Sequence, residues 1–325
     1  MLELIVGIDI GGTSTKFGLV DTSGKVLMHS SIATDNPDIE GYIGELTTAV
    51  KRAVDDIGES VELLGVGIGA PNGNYRKGTI EDAPNLPWSG TIPLADMLEK
   101  QFNIPTKLTN DANAAAMGEM MFGGAKGMRD FIAITLGTGL GSGFVANGEL
   151  IQGHDGHAGE LGHIAYKIGG GRLCKCGKKG CLETYVSATG LKRTVYKLLA
   201  DHHMDSELKR YSFDELNTKM VADAALNGDK VAKEAFDYTG KVLGAKLADA
   251  VGHTSPEAIF IMGGLAKAGD LIFKPTIKHF EKNLLHIFQG KIKILPSELD
   301  STHTPIIGAA SLILEDIKNQ KVVPA

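Results

Sequence analysis

The 325-residue chain carries one pattern twice. "LELIVGIDIGGTSTKFGLVDTSGKVLMHSSIA" and "FIAITLGTGLGSGFVANGEL" each read as strand, glycine turn, strand, hairpin turn and third strand. Gly12, Thr13, Gly18 and Val20 of the first fall on Gly137, Thr138, Gly143 and Val145 of the second, all displaced by the same 125 positions. Strand–glycine–strand patterns are common enough to coincide by chance, but the elements beyond each copy repeat as well. After the first comes a helical stretch from Ile39 to Ile57, with Ile43, Leu46, Val50, Ala53 and Val54 on one face, then the apolar strand "LLGVGIGAP". Far beyond the second comes a largely helical stretch from about Glu207 to His253, then the buried-type strand "EAIFIMGGLA". A duplicated half-molecule is the economical reading, and strands alternating with helices make each half α/β.

Other segments complete this outline. "PTKLTNDANAAAMGEMMFGG" reads as a short strand, a polar turn and a helix stopped by Gly123 and Gly124. The tail begins a helix with Thr304 as N-cap and Pro305 in the first helical position. The length exceeds one ordinary core, so two domains are expected. The smaller takes residues 1–115 joined by a C-terminal helix at 304–325. The larger takes 116–303.

Composition narrows the class. Net charge is −6, with 43% hydrophobic and 22% charged residues, and no long Lys/Arg cluster offers a track for a phosphodiester backbone. The N-terminus lacks the charged and apolar regions of a leader, and no run approaches the roughly 18 apolar residues of a spanning helix. A cytoplasmic protein, with neither membrane nor nucleic acid as partner, is expected.

Three small-residue loops can face phosphate. "DIGGTSTK" brings Asp9, Gly11, Gly12, Thr13 and Lys16, and "LGTGLGSG" brings Gly137, Thr138 and Gly139, each directly after an apolar strand. Phosphate needs converging backbone N–H groups, and glycine lets the backbone approach without a Cβ in the way. Asp9 could hold Mg²⁺ through water. Neither turn matches GxxxxGK[ST], and each alone is compatible with a ligand-free turn. Two equivalent turns suit a nucleotide gripped by both, with the third loop, at Gly263 and Gly264, flat against adenine.

All three cysteines, Cys174, Cys176 and Cys181, lie within eight positions, and His163 stands ten residues before the first. One imidazole and three thiols make a complete tetrahedral set for structural Zn²⁺, with no open position for chemistry at the metal. Lys175, Lys178 and Lys179 would offset the thiolates. Free reduced thiols, or a redox pair of Cys174 and Cys181, are the rival readings. His202, His203, His253 and His303 have no pattern around them and read as solvated or core residues.

Taken in order, "DIGGTSTK", "LGTGLGSG", "HAGELGH", "CKCGKKGC" and "IMGGLAKAG" resemble the ROK family of repressors, open-reading-frame proteins and sugar kinases, from about Ile5 to Ile313. The resemblance implies a two-domain actin-like ATPase (ribonuclease H-like) fold with duplicated halves and an interdomain cleft. Family repressors carry an added N-terminal winged helix-turn-helix. Here the first strand begins within about four residues of Met1, which points to the kinase branch. The implied activity is ATP- and Mg²⁺-dependent phosphorylation of a hexose, glucose first, at the 6-hydroxyl. An N-acetylhexosamine or fructose kinase, and a sugar-responsive regulator without catalysis, remain as alternatives.

In that resemblance Asp111 is the catalytic base and Asn110 holds a sugar hydroxyl, although Asn and Asp at a helix start also serve as ordinary caps. The helix N-terminus should lower the Asp111 pKa. Glu160, His163 and Glu183 are the further polar groups of the sugar pocket, with Asn85 and the loop "GAPNG" lining the same cleft. Zinc would fix His163 and Glu183 there, leaving the nucleotide turns largely independent. The expected partners are a hexose and other copies of the chain, as a homodimer or higher homo-oligomer.

Overall fold

The computed structural model describes residues 1–201, 205–299 and 303–322, with side chains as far as 317. Contacts divide the chain into two compact units. One comprises Met1–Gly127, Leu150–Ala158 and Glu298–Ala325, the other Met128–Glu149 and Gly159–Ser297.

The first unit is built on β1 (Leu2–Ile10), β2 (Ser14–Asp21), β3 (Val26–Ala33), α1 (Ile39–Asp55) and β4 (Val61–Ala70). A small three-stranded sheet of β5 (Gly73–Asn74), β6 (Thr79–Glu81) and β7 (Thr91–Ile92) comes next, then α2 (Leu94–Phe102), β8 (Thr106–Asn110) and α3 (Asp111–Phe122). Position 115, the boundary suggested by sequence, lies inside α3. The large sheet has the order β3-β2-β1-β4-β8. Its first three strands are antiparallel because tight turns join them, and β4 and β8 run parallel to β1 because helices intervene. Asp38 caps α1 by accepting the Gly41 N–H at 3.0 Å. The stripe Ile43, Leu46, Val50 and Ala53 then buries against Ile8, Leu19 and Ile68 of the sheet.

The second unit repeats the plan with β9 (Phe131–Leu136), β10 (Leu140–Ala146), β11 (Glu149–Leu150), β12 (Ala258–Met262) and β13 (Lys293–Pro296), in the order β11-β10-β9-β12-β13. Between β11 and β12 stand α4 (Glu183–Val186), α5 (Ala188–Asp201), α6 (Thr218–Leu226) and α7 (Lys230–Thr254), and α8 (Asp270–Asn283) precedes β13. Val231, Ala235, Phe236, Val242, Leu243 and Leu247 of α7 are all core residues. The shared strand order establishes the duplication and the actin-like ATPase fold.

The copies differ at the turn. Ile10 pairs with Thr15 in the first, whereas Leu136 pairs with Leu140 in the second, one residue tighter. The displacement of 125 therefore holds on the second strand of each hairpin, and the first strand slides by one position. Asp9, opposite Lys16, corresponds to Thr135, opposite Gly141.

The last helix, α9 (Thr304–Val322), lies on the first sheet, where Ile306, Ala310, Ile313 and Leu314 pack against Ile5, Val20 and Met121. A Cβ at Gly7 would stand 2.1 Å from the Ile306 carbonyl oxygen, and one at Gly67 would stand 1.9 Å from that of Ala309. Glycine in the strands is what lets the helix backbone settle there. Of the unpatterned histidines, His253 is exposed and His303 stacks edge-on to His29 at 4.8 Å. His202, His203 and residues 323–325 lie outside the described residues.

Candidate active site and metal centre

In the first unit the acidic candidates meet at the carboxyl ends of the parallel strands. Asp9 lies opposite Gly69 of β4, Gly69 lies opposite Thr109, and Ala70 lies opposite Asn110, next to Asp111. Ligands of open α/β sheets bind at this end, because the loops there leave a crevice. Asn110 is the N-cap of α3, and its Oδ1 accepts the Ala112 N–H at 2.8 Å. Asp111 Oδ1 accepts the same N–H at 2.8 Å.

The Asp111 carboxyl nevertheless titrates above its ordinary range, which corrects the expectation of a lowered pKa. Solvent still reaches the side chain, but the surrounding protein displaces enough water to outweigh the helix-terminal N–H groups. Asp9, half-buried, is raised to about 6, first by burial and then by the charge of Asp111, with Lys16 partly opposing. Two carboxyls with one neighbouring ammonium make a place suited to a divalent cation.

The first glycine turn is held from behind. Gly11 N–H donates to the Ser14 carbonyl at 3.1 Å, and Thr34 N–H donates to that of Thr13 at 3.1 Å. Thr15 Oγ1 sits 2.8 Å from Thr34 Oγ1 and 2.6 Å from the Tyr42 hydroxyl. Tyr42 packs on Trp88, whose indole N–H reaches the Asn36 carbonyl at 3.1 Å. Trp88 thereby anchors the loop of Asn85. That loop sits on Gly12, where a Cβ would stand 2.6 Å from the Asn85 carbonyl oxygen. Thr13 and Asn85 are exposed, and the loop after β4 is fixed by Asn72, whose Nδ2 donates to the Glu81 and Asp82 carbonyls.

In the second unit Gly137 N–H closes its turn onto the Gly139 carbonyl at 3.1 Å, and Thr138 is exposed. Leu265 N–H donates to the Leu136 carbonyl at 3.1 Å, which brings the Gly263–Gly264 loop beside this turn. Gly263 adopts φ +96°, and nothing lies within 4 Å of a Cβ built on Gly264. Glu183 stands over the turn: its Oε2 accepts the Leu140 N–H at 3.3 Å and would lie 2.6 Å from a Cβ on Gly139. Its Oε1 accepts the Cys174 thiol at 3.0 Å. The cysteine loop and the second glycine turn, largely independent by sequence, are thus joined by one carboxylate.

The ligand atoms of His163, Cys174, Cys176 and Cys181 all lie within 4.8 Å of one another. Cys174 Sγ is 3.7 Å from His163 Nδ1, and Cys176 Sγ is 3.7 Å from Cys181 Sγ. Those edges match the roughly 3.8 Å expected of a tetrahedron with Zn–S bonds of about 2.3 Å. They are far longer than a disulfide, and all three thiols are free. Gly177 N–H donates to the Cys174 carbonyl at 3.1 Å and Cys174 N–H to that of Lys178 at 2.9 Å, folding a tight knuckle. Lys178 Nζ reaches the His163 carbonyl at 3.0 Å. His163 turns Nδ1 to the thiols and Nε2 towards Glu160, 3.9 Å from its Oε2.

Sequence reasoning passed over Arg172. Its guanidinium donates to the Thr184 and Gly190 carbonyls at 2.7 and 2.9 Å and to Thr194 Oγ1 at 3.0 Å, and it stacks on the Tyr185 ring at 4.6 Å. It fastens the cysteine loop to α4 and α5. Its position two residues before Cys174 was the available signal.

Known proteins share this architecture. The ROK family matches residues 5–316. The glucokinase of Halalkalibacterium halodurans is 39% identical over 285 residues, 85% of this chain and 84% of that one. The glucokinase of Thermotoga maritima is 33% identical over 315 residues, 96% and 98% of the two chains. The solved ROK family glucokinase from Streptomyces griseus, in complex with glucose and AMPPNP, has 35% identity and a TM-score of 0.79, over 95% of this chain and 98% of that one. With its motifs, its duplicated sheets and these relatives in agreement over nearly the whole length, the chain belongs to the ROK family.

Proposed function

We propose that this chain transfers the γ-phosphoryl group of ATP to the 6-hydroxyl of glucose. The observation that carries the reading is Asp111, a carboxyl reached by solvent at the carboxyl ends of the parallel strands, with its proton affinity raised. A raised pKa suits a group that must take a proton as the sugar oxygen attacks. The new bond forms from O6 to the γ-phosphorus while the bond to the leaving ADP oxygen breaks. The O6 proton passes to Asp111 Oδ, late in the transfer.

The other residues position the substrates. Asn110, whose Oδ1 is occupied by the helix cap, offers Nδ2 to a sugar hydroxyl, and Glu160, His163, Glu183 and Asn85 supply the remaining polar contacts. Thr13 and Thr138, with Gly11, Gly12, Gly137 and Gly139, hold phosphate through hydroxyl and backbone N–H donors, Lys16 adds positive charge, and Gly263 and Gly264 present backbone to adenine. Asp9 would hold Mg²⁺ through water, and the cation when bound neutralises phosphate charge. His163, Cys174, Cys176 and Cys181 would hold Zn²⁺ as a structural ion. With Nδ1 given to metal, His163 keeps its proton on Nε2, an N–H donor of fixed orientation for a sugar hydroxyl. We further place the protein in the cytoplasm as a homodimer or larger homo-oligomer.

The test is a coupled assay of ADP release over glucose, mannose, fructose, allose and the N-acetyl sugars. Glucose should give the highest kcat/KM. Turnover confined to fructose or an N-acetylhexosamine would keep the chemistry and change the substrate. Hexose binding without turnover would make the protein a sugar-responsive regulator.

A further inference from the structure

The segment Leu150–Ala158 leads directly into Glu160 and His163, yet groups with the first unit. Beyond Leu150 it has neither helix nor strand. Its internal closure is a bond from Ala158 N–H to the Gln152 carbonyl at 3.0 Å, and Gly153, Gly156 and Gly159 have φ of +75°, +89° and +94°. Two left-handed glycines inside so short a stretch, with a third directly after it, give it large conformational freedom when untied. Something outside the segment must hold it.

Two side chains of the same unit do, Asn74 and Glu81, the second through His157 of the segment itself. Asn74 is fully buried, and its Oδ1 accepts the N–H groups of Arg76 and Lys77 at 3.1 and 3.3 Å, which fixes the amide's orientation. Nδ2 is thereby aimed at the Asp155 carbonyl, 2.7 Å away. Gly156 rests on the same amide, for a Cβ there would stand 2.4 Å from Asn74 Oδ1. Next to it, His157 Nε2 lies 3.0 Å from Glu81 Oε2. Glu81 Oε1 in turn accepts Lys77 Nζ at 2.9 Å, Thr79 Oγ1 at 3.0 Å and Asn74 Nδ2 at 3.2 Å. Past the segment, Ser142 Oγ bonds the Gly159 carbonyl and accepts the Leu161 N–H at 3.2 Å. Glu160 thus follows the tied loop directly and stands between two residues, Gly159 and Leu161, that Ser142 holds.

We propose that Asn74, Glu81 and His157 are positioning residues for the sugar contacts Glu160 and His163, acting through the segment they fasten. The proposal rests on the hexose-kinase reading. Hydroxyl recognition by a carboxylate and an imidazole tolerates only about half an ångström of misplacement, so the cost of releasing the loop falls on sugar binding.

Two variants test it, both at partly exposed side chains so that folding is spared: His157→Ala and Glu81→Gln. Each should raise the KM for hexose roughly tenfold, with the KM for ATP and kcat within about threefold of the parent, and should speed amide exchange across residues 152–158. His157→Gln, which keeps a donor near the Nε2 position, should restore most of the hexose affinity. Faster exchange with hexose KM unchanged would overturn the proposal, as would an equal rise in both KM values. If the parent enzyme turns over no hexose, the kinase reading fails and this proposal with it. An active parent with indifferent variants sinks the proposal alone.

Discussion

The two glycine turns occupy matching places in the duplicated sheets and differ in length and in what flanks them. The first has four residues, from Gly11 to Ser14, and is flanked by Asp9 and Lys16. The second has three, and Thr135 and Gly141 stand in those places. An acid and an ammonium therefore flank the first turn and not the second, while a glycine turn stands in both. Each turn also has a glycine whose bare face is occupied by a residue of the expected sugar pocket: Asn85 on Gly12 and Glu183 on Gly139. The glycines admit these neighbours as well as any phosphate.

The asymmetry in acids gives the largest predicted effect. Asp111→Asn should lower kcat by at least about 10²-fold, because orientation and proton acceptance are needed in the transition state, while calorimetry without nucleotide still detects hexose. Thr135→Ala, at the position matching Asp9, should change kcat by no more than about threefold. A near-normal kcat in folded Asp111→Asn, or a Thr135 variant as damaged as an Asp9 variant, would dissolve the contrast.

The two crowded glycines should fail differently. An alanine at Gly139 meets the mobile end of Glu183, which can swing aside and lose its bond to Leu140 N–H. The melting temperature should barely move, and the KM for hexose should rise roughly tenfold. An alanine at Gly12 meets a backbone carbonyl, so the whole Asn85 loop must shift, at about 1–3 kcal/mol and several degrees of melting temperature. Thermal scans and initial rates on the pair separate the two. A larger melting loss for Gly139→Ala would reverse the argument.

Glu183 also changes what metal loss should do. The sequence alone leads one to expect that zinc loss acts mainly on the sugar pocket and changes nucleotide affinity much less. The carboxylate touches both the Cys174 thiol and the Leu140 N–H, so a relaxed cysteine loop must loosen the second turn too. Elemental analysis should find one zinc per chain, and much less in Cys176→Ser, whose thiol is exposed enough to replace without a core cavity. Hexose KM should rise most in that variant and ATP KM by a smaller factor of about three. An unaltered ATP KM would restore the independence of the two features.

Much of this was legible because it is local. Alternating apolar runs and turn residues place the strands of both sheets, and the spacing of Ile43, Leu46, Val50 and Ala53 gives α1 its buried face. His163 and the cysteines read as a candidate metal set by type and spacing, and the fold brings their ligand atoms within 4.8 Å of one another. What stayed hidden depends on distant partners. Gly7 and Gly67 look like weak points in strands until α9, more than 200 residues later, lays its carbonyls on them. The tie of His157 to Glu81 spans 76 residues and has no periodicity behind it. The raised pKa of Asp111 comes from water displaced by the folded surroundings, whereas the helix terminus that argues for a lowered one can be read from the sequence.

The carboxyl that flanks the first turn should show itself in stability and its pH dependence. Asp9 titrates near 6 in the folded protein, above its ordinary 3.8, because burial and Asp111 disfavour its charge. The folded state therefore binds an extra proton between those values. That contribution to stability is fully present below about pH 3.8, declines as pH rises, and is lost through about pH 6. The sign is opposite to that of an ion-paired carboxylate such as Glu81, held down at about 2 by His157 and Lys77. Asp9→Asn removes the titration, so the stability of the parent minus that of the variant should fall from pH 4 to 7 and then level off. The ceiling is about 3 kcal/mol, lowered where solvent reaches the half-buried group. Adding Mg²⁺ at pH 7 should recover part of the difference in the parent and none in the variant. Asp111→Asn should move the midpoint of the Asp9 titration downward without abolishing the rise, since burial is the larger cause. Denaturant melts of the three proteins across pH read all of this, and a parent-minus-variant curve that climbs with pH would show Asp9 to be paired in the fold.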